Sequence, residues 1–409
     1  MKTKFAERLP KEQGEGLLTD YPAIRSPWGR LYDFHYAMKY VARANHVISA
    51  AILNAYRILV PDYAERTQLM CESVYKKFKD LYSGPYGDIT IQDLNIHPFC
   101  RGNFMGCLVG DTSDERLFMA GRVNDFDTYR VEKELDTCPW DICGSELCRS
   151  TTVCFQGIID GISTKLRSGP MLELNMVEAL GCGDRHCRIV GECRKKYPMP
   201  EKPLWESFGP IATDDYLSVS TEEYCEHEPS MFRPESGYQY VTGTNKAFSA
   251  NDSFTNTFSN GGEGHILPAM AHCVELGRLK KENVDYALKC VCEAAGKAAF
   301  GEFFAKEGLR AFLGVPVDIG EDDGRLLGGY IEMYLQARLL TYETEMFTQE
   351  EVIYVVDSSK ITPEFMDCLI SYWYGASKTL INAQWSLWEE DSPEGKTRIK
   401  IAKKIDKFC

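Results

Sequence analysis

Cysteine is the residue type whose number and spacing most clearly point to chemistry in this chain. The 409 residues include 16 cysteines, and a dense group of them occupies one short stretch: Cys138, Cys143, Cys148, Cys154, Cys182, Cys187 and Cys193. In a small secreted protein such a group would predict disulfides, but cytoplasmic thiols stay reduced. The N-terminal residues lack the apolar core of a secretory signal. The group therefore predicts metal binding or thiol chemistry.

Metal binding is the first function that this group predicts. A zinc ion takes about four ligands, and five cysteines are the candidates: Cys138, Cys148, Cys154, Cys182 and Cys187. Zinc and iron are the candidate metals. Because the spacing is not a paired C-x-x-C pattern, packing of individual cysteines in the core stays an open alternative.

Thiol catalysis is the second function that the group predicts. Cys154 lies near the start of a helix predicted over 151–165, where the partial positive charge of the helix start favours a thiolate. We therefore expect the pKa of Cys154 to lie below its ordinary value. Cys187 follows a turn that contains Asp184 and His186, and these four residues are the candidate catalytic set. A turn-forming Asp184 and a solvent-facing His186 are the structural alternatives.

These residues need a scaffold, and the apolar patterning predicts one of class α+β. Residues 31–82 carry helical spacing, and strand-like alternation, a loop, an amphipathic helix and a hairpin follow. The same order of elements recurs in the second half, which has few cysteines. We therefore predict two related modules, each an antiparallel sheet plus helices, the second a degenerate copy made by tandem duplication. Thr397 stands near the place that Cys187 has in the first copy.

The predicted organisation has four parts, which are an N-terminal arm over 1–28, a cysteine-rich module over 29–197, a linker or lid over 198–263 and a second module over 264–409. Within the second module, the segments 312–319 and 324–339 are predicted as strands. The sequence leaves open whether the two modules pack within one chain or across a homodimer.

The composition of the chain excludes some classes of partner. The formal net charge is −14, which repels phosphate backbones and argues against nucleic acid as a partner. No stretch approaches the roughly 18 apolar residues of a membrane span, so we expect a cytoplasmic protein without a membrane partner. A small molecule is the expected substrate or ligand.

The cysteine-rich segment resembles the L-2-amino-thiazoline-4-carboxylic acid hydrolase family over residues 130–193. That family has a cysteine before a helix, a cysteine at the helix start and a terminal turn ending in cysteine, which Cys138-Pro139, Cys154 and Gly183-Asp184-Arg185-His186-Cys187 match. Gly157 stands where the family pattern has an aspartate. The segment is also similar to the 4-vinyl-reductase-like ligand-binding domain, in which cysteines and a glutamate hold zinc beside a ligand pocket.

Two functions follow from these residues and from the resemblance. The first is a hydrolase of a small cyclic compound, in which a thiolate attacks the ring or a bound metal activates water and an acid such as Asp184 protonates the leaving group. The second is a non-catalytic sensor or carrier that holds a small molecule beside a structural zinc ion. The hydrolase is preferred, because the sequence lacks the ATPase domain or helix-turn-helix pattern of a transcription regulator.

Overall fold

The computed structural model describes residues 24–32, 34–85, 87, 121–126, 130–135, 143–166, 173–192, 260–302, 306–338, 340–359 and 361–404. The strands are β1 (Ile24–Arg25), β2 (Leu31–Tyr32), β3 (Gly121–Phe126), β4 (Arg130–Leu135), β5 (Glu173–Glu178), β6 (Cys187–Glu192), β7 (Tyr342–Phe347), β8 (Glu351–Asp357), β9 (Trp385–Glu390) and β10 (Lys396–Lys403). The α-helices are α1 (Phe34–Leu59), α2 (Tyr63–Ser83), α3 (Ser145–Leu166), α4 (Leu267–Glu275), α5 (Lys281–Glu302), α6 (Lys306–Leu313), α7 (Arg325–Ala337) and α8 (Pro363–Leu380). A π-helix, Asn260–Ile266, leads directly into α4.

The internal contacts divide the chain into two units. The first comprises Met1–Asp20 and Val60–Cys273, and the second comprises Tyr21–Leu59 and Val274–Cys409. Each unit holds one four-stranded antiparallel sheet, with the order β3-β4-β6-β5 in the first and β7-β8-β10-β9 in the second. The predicted α+β class is therefore confirmed.

This division differs from the predicted boundaries at the N-terminal end. Residues 24–32 form a small hairpin that crosses the predicted boundary between the N-terminal arm and the first module. Helix α1 belongs to the second unit, whereas the sequence assigned it to the first module. The reason is packing: α1 contacts α5 and α7, and Tyr334 of α7 donates a 2.6 Å hydrogen bond to Asn45 of α1. The predicted linker lies outside the described residues up to residue 259, and its last residues belong to the π-helix.

The first unit is built on the contact between helices α2 and α3. A Cβ atom on Gly157 would lie 2.8 Å from the carbonyl oxygen of Tyr75, and one on Gly161 would lie 2.7 Å from that of Lys79. The contact advances by one turn on both helices, so the two helices run parallel. Because glycine has no Cβ atom, the two backbones can touch at these points, and a side chain at Gly157 would push the helices apart.

A buried ion pair fixes the start of α3 against α2. Arg66 Nη2 lies 2.8 Å from Glu146 Oε1, and neither side chain is more than 7 % exposed. Arg66 Nη1 also donates hydrogen bonds to the carbonyl oxygens of Val60 and Pro61, just before α2. These bonds compensate for the loss of water around the guanidinium, so removal of the Glu146 carboxylate from beside this buried charge would cost stability.

The second unit uses the same kind of helix contact. A Cβ atom on Gly375 of α8 would overlap the carbonyl oxygen of Glu293 in α5, and one on Gly296 would overlap that of Tyr372. Around this contact lies an aromatic core whose members are fully buried: Tyr330, Tyr334, Tyr354, Tyr372, Trp373 and Trp385. These rings form the centre of the core of the second unit.

Within the described part of the chain, the first strand of each sheet lies at the sheet edge and has an irregular register. The pairing of β3 with β4 shifts between Val123 and Asp125, and that of β7 with β8 shifts between Thr344 and Met346. Such β-bulges increase the local twist of an edge strand.

Two predictions of strands in the second module are wrong. The segment 324–339 contains helix α7, because its buried residues recur at helical spacing: Leu326, Leu327, Tyr330, Ile331, Tyr334 and Leu335. The segment 312–319 begins at the end of α6 and then turns at Gly314, whose φ is 67°.

Among the described residues, no helix is long and apolar enough to cross a lipid bilayer.

The glycine contact gives a testable expectation for stability. In Gly161→Ala the new methyl group would meet the backbone of α2, so we expect a loss of about 1–3 kcal/mol in the free energy of unfolding, although alanine favours a helix by about 1 kcal/mol. Chemical denaturation measures the difference. Gly320→Ala is the control, because a Cβ atom there meets nothing within 4 Å. Equal stability of both variants would contradict the contact.

Candidate functional site

Three of the five candidate metal ligands lie together in the first unit. Cys148 lies in the first turn of α3, Cys182 ends a short 3₁₀ turn over Leu180–Cys182, and Cys187 opens β6. Burial raises the pKa of Cys148 to about 12, and the neighbouring thiols of Cys182 and Cys187 act in the same direction. We call Cys148, Cys182 and Cys187 the thiol cluster.

Gly181 holds the thiol cluster together. Its backbone N–H donates a hydrogen bond to the Cys148 thiol, and a Cβ atom on Gly181 would lie 2.6 Å from Cys148 Sγ. The turn between β5 and β6 is closed by Cys187, whose Sγ accepts a 3.4 Å hydrogen bond from Leu180 N. The helix start, the 3₁₀ turn and the strand are thus joined through sulfur atoms.

Asp184 shapes the turn that carries the thiol cluster. Its Oδ2 accepts a 2.8 Å hydrogen bond from Ala179 N, while its own backbone N–H donates to the carbonyl oxygen of Ala179. Gly183, with a φ of 95°, supplies the left-handed conformation between them. These bonds are those of the turn-forming alternative raised for Asp184 from the sequence.

His186 is held between two carboxylates. Its Nε2 lies 2.9 Å from Glu134 Oε1 and 2.7 Å from Glu178 Oε2. Arg188 Nε donates a 3.2 Å hydrogen bond to the same Glu178 oxygen. The His186 side chain is 29 % exposed, so it is half-buried at the sheet surface, whereas the neighbouring Cys187 is buried.

The prediction for Cys154 is wrong in two respects. Helix α3 begins at Ser145, earlier than the predicted start, so Cys154 lies in its middle turns, beyond the reach of the helix-start charge. Burial raises the pKa of Cys154 above its ordinary value, and only the nearby charge of Lys77 opposes this. Since residues turn by roughly 100° along a helix, Cys154 also lies on a different face from Cys148.

The described residues do not by themselves form a complete metal site. Among them, no group of three or more His, Cys, Asp and Glu side chains has the arrangement needed to hold a metal ion. Cys138, the fifth candidate ligand, lies outside the described residues. Zinc takes about four ligands, so a site at the thiol cluster would need both a closer approach of the three thiols and at least one further ligand.

Sequence reasoning missed a buried pair of polar side chains in the same unit. Ser150 Oγ lies 2.7 Å from His265 Nδ1, and Ser150 also donates to the carbonyl oxygen of Leu147. If Ser150 donates to Leu147, His265 donates through Nδ1, which fixes the tautomer of the ring. The pair joins α3 to the π-helix, and because its members are 115 positions apart in the sequence, no local motif signals it.

The His265 ring is surrounded by apolar and cationic groups. It is 1 % exposed, and the ring of Phe78 packs edge-on against it with centroids 6.0 Å apart. Burial, and then the charge of Lys77, lower the pKa of His265 to about 3. His265 is therefore a neutral imidazole at neutral pH.

This lowered pKa predicts how stability depends on pH. Below about pH 6.5 the unfolded chain binds a proton at His265 and the folded chain does not, so stability is lost as the pH falls from about 6.5 towards 3. The loss at about pH 5 amounts to about 2 kcal/mol. Urea denaturation of native protein and of His265→Gln at pH 7 and pH 5 measures it.

The variant should lose less stability on acidification than the native protein. His272→Gln, which changes a partly exposed histidine of α4, is the matched control and should keep the native pH dependence. The same pH dependence in native protein and in His265→Gln would contradict the burial of a neutral imidazole.

Comparisons with known proteins do not identify a family for the chain. No protein-family model, no curated protein and no solved structure matches it. The resemblance that rests on Cys138, Cys154 and the turn before Cys187 therefore stays a prediction, and the function has to be inferred from the residues of the chain itself.

Proposed function

We propose that the first unit is a small-molecule-binding module in which the thiol cluster holds a structural zinc ion. The observation that supports this most directly is the meeting of Cys148, Cys182 and Cys187 from a helix start, a turn and a strand. Thiols bind metal only as thiolates. Without a cation, burial and mutual repulsion keep the pKa of Cys148 high, and a bound cation would remove that repulsion.

Cys138 is the candidate for the missing ligand. It precedes α3 by a few residues, so it lies close in sequence to Cys148 in the first turn of the helix. When bound, zinc would supply a crosslink between the helix start and the β5–β6 hairpin, as structural zinc sites do. A binding role is favoured over catalysis because Cys154 is a buried thiol with a raised pKa and Asp184 is engaged in its turn.

Metal analysis tests this role. Protein purified without oxygen should carry about one zinc or iron ion per chain, and Cys148→Ser and Cys187→Ser should each lose most of it. Elemental analysis after gel filtration gives the stoichiometry. Thr397→Ala is the matched control, because it changes the corresponding strand of the second unit and should leave the metal content unchanged. Metal-free native protein would contradict the proposal.

We also propose that the second unit is a copy of the first that has lost the thiol cluster. Both sheets have the same strand order. The helix pair α2–α3 and the helix pair α5–α8 are also packed in the same register. Tyr63 of α2 is hydrogen-bonded to Ser145 of α3, and Lys297 of α5 to Thr379 of α8, and both partners are 82 positions apart in the sequence.

The two sheets carry a further common feature, which aligns their last strands. Arg188 lies opposite Glu178, the last residue of β5, and Arg398 lies opposite Glu390, the last residue of β9. In such a copy Thr397 would stand at the position of Cys187. In the helices, Met366 is the fourth residue of α8 as Cys148 is of α3. The second unit would then serve as scaffold.

A hydrolase of a small cyclic compound is the second candidate, and His186 favours it. An imidazole held by Glu134 and Glu178 is positioned as general bases are, and it directly precedes Cys187. Because Nε2 donates to the two carboxylates, Nδ1 of His186 would take the proton from water as the water attacks the ring.

The test for a hydrolase is turnover of 2-amino-thiazoline-4-carboxylate, followed by chromatographic detection of the ring-opened product. We expect His186→Gln to lower the rate by about 10²-fold or more, the usual contribution of a general base. His272→Gln should keep the native rate. Absence of turnover in native, metal-loaded protein would exclude thiazoline hydrolysis and leave the binding role.

A further inference from the structure

Two cysteines of the second unit face each other across a helix contact. Cys292 lies on α5 and Cys368 on α8, and they are 0 % and 1 % exposed. The two thiols are hydrogen-bonded to each other. Neither belongs to the thiol cluster, and neither was a candidate for function from the sequence.

The register of the helices brings these two residues together. Gly296 follows Cys292 by one turn of α5, and Tyr372 follows Cys368 by one turn of α8. A Cβ atom on Gly296 would overlap the backbone of Tyr372, so the two helix backbones touch one turn beyond the cysteines. Parallel helices that touch there are also close one turn earlier, at Cys292 and Cys368.

A disulfide requires this kind of approach. The Cα atoms of a bridged pair lie about 4.4–6.8 Å apart, which is closer than two helices with the usual interaxial distance of about 8–10 Å bring most facing positions. The glycine contact reduces that separation for α5 and α8. Two interacting thiols on helices in such close contact are therefore placed to form a disulfide.

We propose that Cys292 and Cys368 are a disulfide-forming pair that joins α5 to α8 under oxidising conditions. With a disulfide such as oxidised glutathione as the oxidant, one cysteine thiolate attacks the oxidant and releases one glutathione thiol. The second cysteine then attacks the mixed disulfide and releases the other. The two cysteines lose two protons and two electrons, and the oxidant becomes two glutathione thiols.

The pair is a property of the second unit alone. Cys292 is the twelfth residue of α5 and Cys368 the sixth of α8, and the same positions of α2 and α3 hold Val74 and Ser150. The inference therefore does not rest on the thiol cluster or on either proposed function. Because both thiols are buried, the oxidant reaches them during folding or when α5 and α8 separate locally.

Refolding in a glutathione redox buffer tests the inference. Full-length protein is reduced in denaturant and refolded with mixed reduced and oxidised glutathione, and its remaining thiols are alkylated under denaturing conditions. Peptide mass mapping should recover the peptides of Cys292 and Cys368 joined to each other. Denaturation of the oxidised protein should show a higher midpoint, and a reductant should reverse the shift.

Three variants complete the experiment. Cys290→Ser changes the exposed cysteine next to the pair and should leave both the crosslink and the shift intact. Cys292→Ser and Cys368→Ser should each abolish both. The inference is overturned if refolded native protein yields Cys292 and Cys368 as separate alkylated or glutathione-bearing peptides, or if the midpoint shift persists in Cys368→Ser.

Discussion

The contact between two parallel helix backbones is the constraint on which each unit depends. Glycines make it in both units, with Gly157 and Gly161 in α3 and Gly296 and Gly375 in the α5–α8 pair. The axes of the two helices in each pair cannot move apart without losing this contact. The strands that pack on α3 and α8 therefore rest on a helical layer of fixed spacing. The same contact determines which side chains meet, including Cys292 and Cys368.

The elements with a clear period could be predicted from the sequence, whereas helix starts and long-range packing could not. The last hairpin of each half and the helices α2, α3, α5 and α8 were predicted, because their apolar residues follow one period. Helix α7 was missed since Gly328 and Gly329 interrupt a helical pattern. The place of α1 depends on contacts such as Tyr334 with Asn45, which no local window contains.

For the site, the observed start of α3 differs from the predicted one and changes which cysteine lies at the helix start. The predicted start near Thr151 gave the helix-start position to Cys154, whereas the observed start at Ser145 gives it to Cys148. Gly157 lets α3 approach the backbone of Tyr75 in α2. No side chain fits in that space, so helix packing determines the residue type at this position. The pairing of Ser150 with His265 needed the fold to be seen.

The bulges in β3 and β7 have a consequence for how copies of the chain meet one another at high concentration. An unpaired edge strand offers free N–H and C=O groups to any other strand, and bulges and charges on that edge prevent such pairing. In β7 the register shift coincides with the exposed Glu343 and Glu345. An incoming strand would have to bury these carboxylates against a twisted edge, so growth of the sheet into fibrils is opposed at this edge.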